Sequence, residues 1–160
     1  CINLFTAIIA SSVINIFKDT IEEVIFLAVL MPIIASMGGV AATQTLTITV
    51  RGLALGQIMS SNYFYLLSRE ITVGLVNGFF WALVLGFISY FWFSEITIAL
   101  IILLSMVINL FMAVISGMGI PLMLKFFKLD PAIAGSVIVT TITDVVGFLS
   151  FLGLATIFYS

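Results

Sequence analysis

Polar and apolar positions in this chain segregate into long blocks: five apolar runs are separated by short clusters of charge. The first extends from the start to Phe17 and ends at the acidic turn Lys18-Asp19-Thr20-Ile21-Glu22-Glu23. The second runs from Val24 to Val50 and stops at Arg51. A mixed stretch from Arg51 to Glu70 is amphipathic and is expected to lie along an interface. The third run spans Ile71 to Phe93, and the fourth runs from Ile96 to Leu124, closed by Lys125 and Lys128. Asp130-Pro131 opens the fifth, Ala132 to Tyr159, with Asp at a capping position and Pro in the first turn, both favourable helix starts. A helix needs about 20 apolar residues to cross a hydrocarbon core. The pattern therefore predicts an all-α integral membrane protein with five crossings.

Composition hardens this reading. The chain is 63% hydrophobic and only 8% charged, where soluble domains average about 25% charged residues. Residues 1–160 then form a single transmembrane domain in the lipid bilayer, with short connections. There is no His, and the one thiol is Cys1, which excludes a His/Cys metal site or a Cys–His nucleophile within one chain. Nothing points to an enzyme, and no basic patch suggests nucleic acid. The chain begins without Met and opens directly into CINLFTAIIASSVINIF, so a truncated first helix is expected.

Charge placement orients the chain. Arg51, Arg69, Lys125 and Lys128 fall in loops on one side, and Lys18 alone on the other. The basic side is expected in the cytoplasm, with the N-terminus cytoplasmic, the C-terminus external and the protein in the cell membrane. Tyr90, Trp92 and Tyr159 fall at outer helix ends, as an aromatic belt would.

Asp144 lies near the middle of the fifth run. A carboxylate at bilayer depth costs about 2.5–3.5 kcal/mol on insertion scales, so such residues face a bundle interior or a wet cavity. Ser136, Thr140, Asp144 and Gly147 recur at helical spacing and share one face. This polar stripe is a candidate pore wall, with Val139 and Ile142 off it, facing lipid or neighbouring helices. The second run is a second candidate wall. Pro32 and the pair Gly38-Gly39 predict a kinked helix, followed by Thr43-Gln44-Thr45; Gly38, Gly39 and Gln44 are its candidate lining residues. Gly74 and Gly78, with Ser116, Gly117 and Gly119, suit close helix contacts. Asn77 and Asn109 suit interhelical hydrogen bonds, and Glu70 is expected to pair at the interface with Arg69.

One carboxylate per chain is a poor cation trap. In a two-fold homodimer a residue near the axis appears twice, and two Asp144 carboxylates match one divalent cation. Hydroxyl and carbonyl oxygens as the remaining ligands suit Mg²⁺ or Ca²⁺, with Mg²⁺ held through its waters. Leu152, near the outer end of the fifth run, is expected close to that axis.

Two long motifs carry a resemblance. Pro32 to Gly56, PIIASMGGVAATQTLTITVRGLALG, and Pro121 to Gly153, PLMLKFFKLDPAIAGSVIVTTITDVVGFLSFLG, are similar to the signature of the MgtE family of magnesium channels. The resemblance implies a homodimer of five-helix subunits whose pore at the dimer axis is lined by the second and fifth helices. It implies that Asp144 is the selectivity carboxylate, that Mg²⁺ and other divalent cations are the cargo, and that cytosolic amino-terminal and CBS domains are absent from this chain. A Mg²⁺ carrier coupled to Na⁺ or H⁺ exchange is the alternative. Val40 and Ala42 stand where the family usually carries Asn and Gly, so no polar role passes to Val40.

Overall fold

The computed structural model describes residues 2–58 and 63–159. All secondary structure in them is helical: α1 (Ile2–Ile16), α2 (Lys18–Glu23), α3 (Phe26–Ala54), α4 (Tyr63–Phe93), α5 (Ile96–Phe126) and α6 (Pro131–Tyr159). Four of these, α3 to α6, are long and apolar enough to cross a membrane. α1 has 15 residues, about 22 Å at 1.5 Å per residue, against a hydrocarbon core of about 30 Å.

Three boundaries differ from the sequence expectation. The acidic turn after α1 is a helix of its own, α2, braced by an exposed pair between Lys18 and Glu22 at 3.4 Å. α3 is a continuous helix through Pro32 to Ala54. The stretch from Arg51 to Glu70 forms no separate interfacial helix among the described residues, because its two ends continue α3 and α4. Arg51 stays exposed while Gly52 beneath it is buried. A long basic side chain can keep its head in water as its stem covers apolar surface, so one charge does not stop the helix. At the start of α6 the expectation holds: the Asp130 carboxylate accepts a hydrogen bond from the Ala132 backbone N–H at 2.8 Å.

α5 is the centre of the bundle, packing extensively against α3, α4 and α6. Small residues set these approaches. A methyl at Gly117 would lie 2.8 Å from the Ala42 carbonyl oxygen of α3, and one at Gly78 would lie 3.1 Å from Leu110. Gly74 sits against Val114 of the same helix. The Gly74/Gly78 pair therefore serves packing of α4 on α5. α1 packs on α6, and the largest apolar cluster joins Val13, Leu30, Ile34, Ile101, Phe151 and Leu152. Leu152, expected beside a two-fold axis, has no exposed surface and belongs to the subunit's own core. α3 and α4, both seated on α5, touch each other only slightly.

Candidate functional site

Asp144 sits partway along α6, half-buried. Its carboxylate takes neither a hydrogen bond nor an ion pair from any described residue. No group of three or more His, Cys, Asp or Glu side chains comes together among the described residues.

The residues toward the amino-terminal end of α6 are hydroxyl-bearing, and their hydrogen bonds decide what they present. Thr140 Oγ1 donates to the Ser136 carbonyl at 2.9 Å, and Thr143 Oγ1 donates to that of Thr140 at 2.9 Å. A threonine that gives its proton to the preceding turn leaves its oxygen lone pairs facing outward. Ser136, Thr140 and Asp144, all half-buried, thus make a line of oxygen acceptors along one side of α6.

α3 meets this line at Gly39, where an added methyl would lie 3.7 Å from Thr140 Cγ2. Thr43 follows Gly39 at helical spacing and donates its hydroxyl to the Gly39 carbonyl at 2.9 Å; Thr47 donates to Thr43 O at 2.8 Å. Gly39, Thr43 and Thr47 therefore repeat on α3 the acceptor pattern of α6. Thr47, like Ser36 and Val40 on neighbouring positions, is exposed. Thr43 and Thr47 are not among the lining residues expected from sequence, although their spacing of four from Gly39 is the signal that finds them. Gln44, which is among those expected, borders both faces: it lines an open pocket with Thr43 and Thr47 and also the cleft facing α4.

Gly38 and Gly147 are fully packed. Both bury against Asn109 of α5: a methyl at Gly147 would lie 2.7 Å from Asn109 Nδ2, and one at Gly38 would overlap the carboxamide. Asn109 has no exposed surface and donates Nδ2–H to the Ile34 carbonyl of α3 at 3.0 Å. Its interhelical role matches expectation. The two glycines are thus the seat of a three-helix junction one turn along α6 from Asp144, while Gly39, Thr43, Thr47, Ser136, Thr140 and Asp144 remain only partly buried or exposed.

The expected Arg69–Glu70 ion pair does not form; among the described residues the one ion pair is Lys18–Glu22. Glu70 instead lines the cleft between α3 and α4.

Comparison with known proteins places the chain in a family. Three relatives, each named magnesium transporter MgtE, align over nearly the whole chain. The Bacillus subtilis protein is 30% identical over 155 residues, 97% of this chain. Those of Enterococcus faecalis and Thermus thermophilus are 28% identical over 97% and 95% of it. The chain spans about a third of their length, 34% in each case. A family model described as a divalent cation transporter matches residues 31–154, which take in Gly39 on α3 and Asp144 on α6. With four membrane-length helices and a match of that extent, the chain is a multi-pass membrane protein of the MgtE family, a family of transporters rather than enzymes.

Proposed function

We propose that this chain is the membrane portion of a Mg²⁺ channel, conducting through a pore between two copies, with one Asp144 from each at its centre. The observation that carries this reading is Asp144 itself: a carboxylate in mid-helix, unpaired, at the end of an acceptor-lined face. Such a group costs about 2.5–3.5 kcal/mol in lipid unless water or a cation compensates it. A two-fold axis beside α3 and α6 brings two carboxylates to one point. Their combined charge neutralises a divalent ion, and the hydroxyl lines of Thr140, Thr43 and Thr47 accept from the waters a Mg²⁺ ion keeps. The outer side of α3, with Ser36 and Thr47 exposed and Thr43 half-buried, fits the same axis, since Thr43 and Thr47 keep their lone pairs free to accept from water. α1 adds the fifth crossing, with the basic loops cytoplasmic.

The test is Mg²⁺ flux into liposomes carrying the protein. Asp144→Asn keeps the shape and removes the charge, so flux should fall to background with folding intact; wild-type flux in that variant overturns the reading. A Thr47→Cys variant should crosslink between copies, and failure to do so in membranes moves the pore inside the subunit. Flux that vanishes without a Na⁺ or H⁺ gradient would identify a coupled carrier instead.

A further inference from the structure

α3 and α4 are each drawn onto α5 by glycines and barely meet each other, which leaves a wedge between them. Toward the carboxyl-terminal end of α4 the wedge is apolar, a space of about 200 Å³ lined by Met37, Trp81, Leu85 and Met106 among others. Toward its amino-terminal end it changes character. There a cavity of about 150 Å³ has Gln44 and Thr45 on one side, Glu70 and Asn77 on the other, and Leu110 and Val114 as floor. A second cavity of about 160 Å³ adjoins it and shares Glu70.

Glu70, Gln44 and Asn77 have no partner among the described residues. Thr45 Oγ1 donates to Ala41 O at 3.1 Å, so only its lone pairs remain to face the space. A carboxylate, two carboxamide oxygens and a hydroxyl oxygen on facing helices are hard ligands for a hard cation. A space of this size also holds several waters, each occupying about 30 Å³.

From this juxtaposition we propose that Glu70, with Gln44, Thr45 and Asn77, binds one alkali-metal cation, Na⁺ or K⁺, in the α3–α4 wedge. Charge decides the class. One carboxylate neutralises a monovalent ion, whereas a divalent ion would leave a net positive charge against lipid, which is costly. Arg51 and Arg69 near the same end of the bundle disfavour that surplus further. The site's carboxylate, Glu70, lies on α4, across α3 from the Gly39–Thr140 contact, while Gln44 also borders Thr43 and Thr47.

The experiment is equilibrium binding of ²²Na⁺, and of ⁸⁶Rb⁺ as a K⁺ stand-in, to the purified protein in lipid nanodiscs at constant Mg²⁺. One saturable site per chain is expected. Glu70→Gln should weaken it at least about tenfold, the loss that follows removal of one ionised partner. Asn77→Leu should weaken it less, and Asp144→Asn should leave it intact. Absence of saturable binding of either ion, or binding unchanged in Glu70→Gln, overturns the proposal; loss in Asp144→Asn with retention in Glu70→Gln assigns the cation to the pore instead. Should Glu70→Gln fail to fold, the Gln44→Leu/Asn77→Leu double variant serves in its place, and unchanged affinity there is equally decisive.

Discussion

α4 and α6 contain membrane-length segments of the same mean hydropathy, 2.0, yet 17% of one and 33% of the other is buried within the subunit. α4 has a broad apolar outer surface, with Phe79, Phe80, Phe87, Phe91 and Trp92 all exposed. α6 packs on α5, α3 and α1, and carries Ser136, Thr140, Thr143 and Asp144. Hydropathy thus tells that a helix can cross a bilayer, while the kind of side chain tells what it crosses beside. Large aromatic groups suit lipid. Small residues permit close helix approach, and hydroxyls that bond their own backbone cost little in an apolar setting.

The contrast breaks most sharply at charge. Asp144→Asn should reduce Mg²⁺ flux about 10–100-fold, the range for losing one charged partner, whereas Phe87→Leu on α4 should leave flux unchanged. Asp144→Glu, keeping charge on a longer stem, should give partial flux or altered preference among divalent ions. A large loss in Phe87→Leu, measured in the same liposomes, would mean α4 also borders the path.

Packing gives the next effect. Gly147→Ala places a methyl against Asn109 and should cost about 1–3 kcal/mol, as overpacked interiors do. Phe87→Ala on the exposed side of α4 should stay within about 0.5 kcal/mol. Denaturant or thermal unfolding in detergent compares the two; equal stability would mean the Asn109 junction relaxes freely.

Thr140→Leu sharpens the comparison within α6 itself. It should lower flux several-fold by replacing an acceptor with a bulky apolar group, while Ile142→Leu, off the stripe, changes flux little. Val139, also off the stripe, is a poor neutral control. It is fully buried with Ala42, Leu46 and Ala113, so Val139→Phe should act on stability first, by about 1–3 kcal/mol. Flux and melting temperature measured together on all three variants separate the roles.

By itself the sequence determined the class, the four long apolar helices α3 to α6, the start of α6 and the position of its lone mid-helix carboxylate. Each follows from local properties: run length, a capping Asp before Pro, a charge that lipid penalises wherever it sits. Only the tertiary structure decided which side of each helix meets which neighbour. Gly38, Gly39 and Gln44 stand close together in the chain, but helical rotation sends one against Asn109, one against Thr140 and one toward Glu70. Gly147 belongs to the polar stripe by spacing, yet its space is filled by a side chain from α5. Leu152, expected beside a two-fold axis, and Val139, expected off the stripe, are both core. The Arg51–Glu70 stretch resembles an interfacial element because its charges are spaced for one. Extended α3 and α4 absorb its ends because backbone hydrogen bonding in an apolar medium favours continuing a helix over ending it.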